Sequence, residues 1–215
     1  MINGALHPPR YNPVRRMSLI LASASPRRRD LLAQIGVTPD QIIACNIDET
    51  PHKAEQPAVY AKRMALEKAQ AAQAQLSQDN SVTAAILAAD TVVAIGRRIL
   101  PKAETDQEVA ACLRLLSGRS HRVISALTII PPEADKPINR LVSTKVQMKR
   151  LSDRDIAWYV ASGEGIGKAG GYGIQGCAAA FIREMSGSYT AVVGLPLFET
   201  RQILTGLGLL SAERV

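Results

Sequence analysis

The apolar run at residues 18–22 (SLILA) breaks off at SASP and passes directly into RRRDLLAQIG. There Leu31, Leu32 and Ile35 share one face and Gly36 supplies a stop. A buried strand feeding a helix through so short a turn is the opening unit of an α/β fold. The alternation continues along the chain. Residues 56–76 lack an internal Gly or Pro after Pro57, are rich in alanine and predict a long helix. Residues 84–95 (AAILAADTVVAI) read as a core strand interrupted by one Asp-Thr pair, and Gly96-Arg-Arg predicts a hairpin-like return. A helix is expected over 105–116. Strands are expected at 121–130 and 140–149, and Ser152 caps a further helix to about Ala161. A last core segment is expected at 178–185 and a final helix from about Pro196. The expected architecture is α/β, a mixed sheet with flanking helices forming two lobes around a cleft.

The 215 residues are 47% apolar and 21% charged, an ordinary balance for a soluble globular protein. No apolar run approaches the roughly 18 residues that cross a bilayer, and the first residues have no secretory pattern, so a cytoplasmic protein is expected. Residues 1–17 read as a proline-rich, basic, flexible tail, and 18–215 as a single domain. The formal charge is +7, of which Arg10, Arg15 and Arg16 supply three, leaving +4 beyond the tail. Aromatic residues make up only 4% and none alternates with the arginines, so a small polyanion suits the charge better than DNA or RNA. Cys45, Cys112 and Cys177 stand far apart and are read as reduced core thiols. The three histidines share no metal-ligand spacing.

Residues 163–176 (GEGIGKAGGYGIQG) hold seven glycines and contain the pattern G-x-G-x-x-G. A dinucleotide loop must follow a strand, whereas the preceding DIAWYVAS reads as a helix. A P-loop needs glycine where Ser162 stands and Ser or Thr where Ala169 stands. The pattern alone therefore leaves a glycine-rich connection. The SASPRRR segment is more pointed. Ser25 is a good N-cap residue, Pro26 suits the first helical position, and a helix start is an anion site. Arg27, Arg28 and Arg29 crowd cations where the dipole disfavours them. They read either as a solvated basic face or as a phosphate site, and phosphate is favoured because guanidinium binds it bidentately. Asp90 interrupts an apolar strand. It is either hydrogen-bonded structurally or placed to hold a metal or activate water. Asp48 and Glu49 offer a further carboxylate. Lys68 and Lys102 are candidate phosphate clamps, although each alone reads as a surface lysine.

In order, ILASASPRRRDLL, IDE, ALEKA, LAADTVV, ILPKAE, LRLLSG, KAGGYGIQG and GSYTAVVGLPL resemble the Maf-like nucleoside triphosphate pyrophosphatases over about 18–207. The resemblance implies a fold like that of the inosine triphosphatase group. It also implies water attack on the α-phosphorus of a nucleoside triphosphate, releasing pyrophosphate with Mg²⁺ or Mn²⁺. By matching positions it makes Asp90 the catalytic proton acceptor or a metal ligand and Glu49 a metal ligand. Ser23, Arg27, Arg28, Lys68 and Lys102 become substrate-binding residues, and Arg27, Thr91 and Gln175 determine specificity. The YGIQG at 172–176 matches the subgroup acting on dTTP and UTP, with modified pyrimidine nucleotides as a further substrate class. Gln175 is the implied base reader, since an amide pairs with a donor–acceptor edge. Ala103 stands where the family often has proline, which leaves the backbone beside Lys102 less constrained. The partners implied are the nucleotide substrate, with room for a homodimer, and neither nucleic acid nor membrane. Two other readings compete: a nucleotide-binding regulator of cell division without turnover, and a nucleic-acid binder using the basic charge.

Overall fold

The computed structural model describes residues 17–76, 84–132 and 136–210. The tail expected over 1–17 lies, apart from Met17, outside the described residues. Met17 itself packs against the core. In chain order the elements are β1 (Ser18–Leu21), α1 (Pro26–Gln34), β2 (Gln41–Ile42), α2 (Pro57–Leu76), β3 (Ala84–Ile95), β4 (Arg98–Leu100) and β5 (Lys102–Ala103). There follow α3 (Asp106–Leu116), β6 (Ser120–Ile130), β7 (Ile138–Met148), α4 (Asp153–Ala161) and β8 (Lys168–Ala169). A 3₁₀ turn (Cys177–Phe181), β9 (Ile182–Ser186), α5 (Tyr189–Val193) and α6 (Leu197–Gly206) complete the fold. No described helix is long and apolar enough to cross a membrane.

Seven strands form one mixed sheet in the order β2-β1-β3-β6-β7-β9, with β4 folded back on the end of β3. β5 and β8 make a separate two-stranded ladder. β1 runs parallel to β2 and β3, while β6, β7 and β9 add antiparallel. The mixed α/β sheet with flanking helices is therefore as the sequence reads. Alternation along β3 sorts its side chains to two faces, as a pleat requires. Leu87, Ala89 and Val93 join Leu31 and Leu32 of α1 and Leu113 and Leu116 of α3. Ile86, Ala88 and Val92 face α2, whose Ala61, Ala65, Ala69 and Ala72 are fully buried. Small residues at this spacing let a long helix lie flat on the sheet.

The pairing of β3 leaves a gap in the sheet. One edge is covered by β6 continuously from Ile86 to Ala94. The other edge is covered by β1 only as far as Leu87, and by β4 only from Val93 onward. Residues 88–92 have no strand on that edge among the described residues. They lie just past the carboxyl end of β1, where open α/β sheets place ligands. The chain leaving β1 turns there into α1.

Candidate active site

The gap opens into a cleft of about 400 Å³. Ser23, Arg27, Arg28, Glu49, Lys68, Asp90, Thr91, Lys102 and Gln175 all line it, so nine of the residues singled out in the sequence converge on one place. Asp48, by contrast, is exposed outside the lining, and its Oδ1 accepts from the Thr50 N–H. One wall is the β1–α1 turn. Opposite stand Lys102 of β5, Lys168 of β8 and the segment through Gln175. The pleat of β3 sends Asp90 to the α2 face and Thr91 to the other.

A chain of alternating charges crosses the floor. Lys68 Nζ lies 2.8 Å from Asp90 Oδ1 and 2.8 Å from Glu49 Oε1, and Lys102 Nζ lies 2.6 Å from Glu49 Oε2. Lys68 is not a surface lysine. It sits on the inward stripe of α2 with Met64, Ala65 and Ala69, and it is 9% exposed. Burial pushes the Glu49 carboxyl upward, but the hydrogen bonds from Lys102 and Lys68 outweigh it and hold Glu49 at about 2. Tyr60 donates its hydroxyl to the Glu49 carbonyl at 2.7 Å and fixes the backbone there. The second oxygen of Asp90, Oδ2, has no protein partner among the described residues.

At the α1 end Ser25 occupies the N-cap position and Pro26 the first turn, as expected, yet the Ser25 side chain caps nothing. Its backbone N–H donates to Ser23 Oγ at 3.2 Å instead. Arg28 is buried and donates from Nη1 to Ser23 Oγ at 2.8 Å and from Nε to the Gly194 carbonyl at 2.9 Å. Desolvation lowers the Arg28 pKa, opposed by Asp90. Ser23 Oγ thus accepts two hydrogen bonds, which leaves its own proton free to donate into the cleft. Arg29, by contrast, points to solvent beside Asp30.

Two expectations change in detail. Lys102 was expected on a loosened backbone; instead the β5–β8 ladder pairs Lys102 with Ala169 and Ala103 with Lys168, so hydrogen bonding replaces what a proline would constrain. Only Cys112 is buried; Cys45 and Cys177 are half-buried, and Cys45 lines the cleft. The glycine-rich connection is packed closely on the fold. A Cβ on Gly165 would meet Val109 at 2.6 Å, and one on Gly170 would meet Val93 at 2.8 Å, so these two let the loop lie against α3 and β3. Lys168 is the charged cleft residue not singled out in the sequence. Burial, then neighbouring Arg27, lowers its pKa. With it the lining holds five cations and two carboxylates, an excess of three positive charges that suits a polyanion.

Residues 18–207 match the family model described as Maf-like protein. The chain belongs to the Maf-like family. A dTTP/UTP pyrophosphatase of Caulobacter vibrioides is 56% identical over 191 residues, covering 89% of this chain and 96% of its own. One of Mesorhizobium japonicum is 55% identical, covering 88% and 91%. Among solved structures, the Ham1 protein of Staphylococcus aureus aligns with 61% of this chain and 71% of its own at 12% identity and a TM-score of 0.42.

A divalent cation fits this Maf-like cleft in one way. Among the described residues no three His, Cys, Asp or Glu gather as a protein-only cage. Mg²⁺ is usually held by one or two carboxylates with substrate phosphates and water, and Asp90 and Glu49 supply that pair. The two carboxylates already share a cation, the Lys68 ammonium.

Proposed function

We propose that the protein is a nucleoside triphosphate pyrophosphatase that cleaves dTTP and UTP to the monophosphate and pyrophosphate, with residues 18–215 acting as one catalytic unit. The observation that carries this reading is the charge chain Asp90–Lys68–Glu49–Lys102 facing the Arg27–Arg28 helix start across one cleft. Relatives that bear the name dTTP/UTP pyrophosphatase at 55–56% identity, aligned over most of both chains, support it.

Arg27, Arg28, Lys102 and Lys168 bind the triphosphate, with Ser23 donating its hydroxyl proton to a phosphate oxygen. A water molecule attacks the α-phosphorus and gives its proton to Asp90. The bond from the α-phosphorus to the bridging oxygen breaks, and pyrophosphate leaves with the electron pair. Lys68 positions Asp90 through its bond to Oδ1 and keeps Glu49 in register with it. Asp90 and Glu49 would hold a divalent cation, which would supply charge neutralisation on the phosphate oxygens. Positioning and electrostatics dominate phosphoryl transfer, so no covalent nucleophile is needed.

The test is a panel of nucleoside triphosphates with Mg²⁺ or Mn²⁺, scoring pyrophosphate and orthophosphate separately. Pyrophosphate from dTTP and UTP is expected. Orthophosphate alone would replace this mechanism with γ-phosphate hydrolysis. Nucleotide binding without either product would leave the regulator.

A further inference from the structure

The proposed substrates pose a problem that Gln175 cannot solve alone. Thymine and uracil present an N3–H donor beside the O4 acceptor, whereas cytosine presents a bare N3 acceptor beside an N4 amino donor. Gln175 is exposed and its amide makes no hydrogen bond among the described residues. An amide that turns over exchanges its oxygen for its NH₂, so a freely turning Gln175 matches either edge. Selecting uracil over cytosine needs a group whose polarity is fixed.

Thr91 is such a group, and the residue that fixes it is Ser125. The two face each other across the β3–β6 ladder, with Thr91 Oγ1 and Ser125 Oγ 2.8 Å apart. Ser125 is fully buried and donates its only hydroxyl proton to the Ala191 carbonyl at 2.5 Å. That carbonyl lies in the last turn of α5, where helix carbonyls lack an in-helix partner. The next amide that could reach it, Leu195 N–H, bonds to Thr190 instead. With its proton committed, Ser125 can only accept from Thr91, so the Thr91 proton points inward to Ser125. Thr91 lines the cleft, and its hydroxyl is left with lone pairs alone to offer a ligand there.

We infer that Ser125 is a specificity-positioning residue: through Thr91 it presents a hydroxyl locked as an acceptor, which takes the imide N3–H of thymine and uracil and opposes the N3 lone pair of cytosine. This rests on the reading above of a pyrophosphatase acting on dTTP and UTP. The relay also gives α5 a part in the site at both ends. Ala191 sets the polarity of Thr91, while Gly194 holds Arg28.

The experiment measures kcat/KM for UTP and CTP, by pyrophosphate release, in the wild type, Ser125→Ala, Thr91→Val and the double variant. Ser125→Ala frees the Thr91 hydroxyl to donate, so the UTP-to-CTP ratio should fall about tenfold, the scale of one hydrogen-bond mismatch. Thr91→Val should lower it similarly, and the double variant should fall no further than Thr91→Val alone. Should Ser125→Ala not fold, Ser125→Cys keeps the volume with a weak hydrogen-bonding partner, and a reduced ratio is again expected. A folded Ser125 variant with the wild-type ratio, or an equal loss on both nucleotides, overturns the inference and leaves the enzyme reading standing. So does a wild type that turns over UTP and CTP alike, or an effect of Ser125→Ala that persists without the Thr91 hydroxyl. No pyrophosphate from dTTP or UTP in the wild type overturns both readings together.

Discussion

Lys68 Nζ donates to Asp90 Oδ1 at 2.8 Å, and both residues are more than nine-tenths buried. A buried carboxylate paired in this way is stable in its charged form only while the partner stays. The pair thus leaves both the structural and the chemical reading of Asp90 room: Lys68 satisfies one oxygen, and the other has no protein partner among the described residues. Asp90→Asn keeps the volume, and Lys68 keeps Glu49 as an anion. The variant is expected to unfold cooperatively near the wild-type temperature and to lose about 10²-fold or more in kcat. Turnover within a fewfold of wild type would remove Asp90 from the chemistry.

Arg28 bridges the β1–α1 turn and the end of α5, and only a planar fork can do so. Lysine carries the same charge but cannot reach Ser23 Oγ and the Gly194 carbonyl together. Arg28→Lys should therefore cost stability as well as activity. Leaving the carbonyl unpaired costs about 1–3 kcal/mol, and kcat/KM should drop by about 10-fold or more if that cost falls equally on the transition state. Denaturant unfolding and steady-state kinetics on one preparation check both. A variant as stable and as active as wild type would mean that the bridge holds nothing.

His121 connects the sheet to the loop that carries Gln175. Its Nε2 lies 2.7 Å from the Tyr172 hydroxyl, it is 2% exposed, and burial lowers its pKa from 6.5 to about 4. The unfolded chain takes up this proton near 6.5 and the folded chain only near 4. Between those values the unfolded state binds more protons, so stability is full above 6.5 and falls as the pH drops to about 4. The loss is on the order of 3 kcal/mol. Melting temperature against pH should drop more steeply over this window in the wild type than in His121→Gln, which cannot titrate. Glu49 acts lower, with its contribution present above 4.5 and lost toward about 2. Parallel curves for the wild type and His121→Gln between 6.5 and 4 would mean that His121 does not titrate in this way.

The long elements were legible because their periods are long enough to count. β3, α2 and α3 fall within a residue or two of their patterns, and Thr105 and Ser152 form the capping boxes that their sequences allow. β2, β5 and β8 have two residues each and therefore no period to read. Their existence is fixed by register with distant strands. Lys68 was half legible. Its spacing from Met64, Ala65 and Ala72 puts it on the buried stripe, but its charge argued for the surface until its two carboxylate partners were known. Ser125 was not legible as a partner of Thr91, because which residues of two strands face each other is a tertiary fact. The same holds for Lys168, which reaches the cleft only through the β5–β8 ladder.

The glycine stretch offers a sharper contrast between two of its own members. Gly170 has φ +67° and would place a Cβ 2.8 Å from Val93 Cγ1, whereas Gly167 has φ +68° and open space around it. Alanine at either position bears the left-handed backbone, about 1–2 kcal/mol. At Gly170 it also collides with a β3 side chain, adding about 1–3 kcal/mol. The Gly170 N–H bonds to the Pro101 carbonyl at 3.0 Å, one residue before Lys102, so relief of that collision moves the ladder that aims Lys102 at Glu49. Gly170→Ala should thus be clearly less stable than Gly167→Ala and should raise KM for dTTP. Equal destabilisation of the two variants would show that backbone conformation alone, and not the packing of this loop on β3, is what the glycines provide.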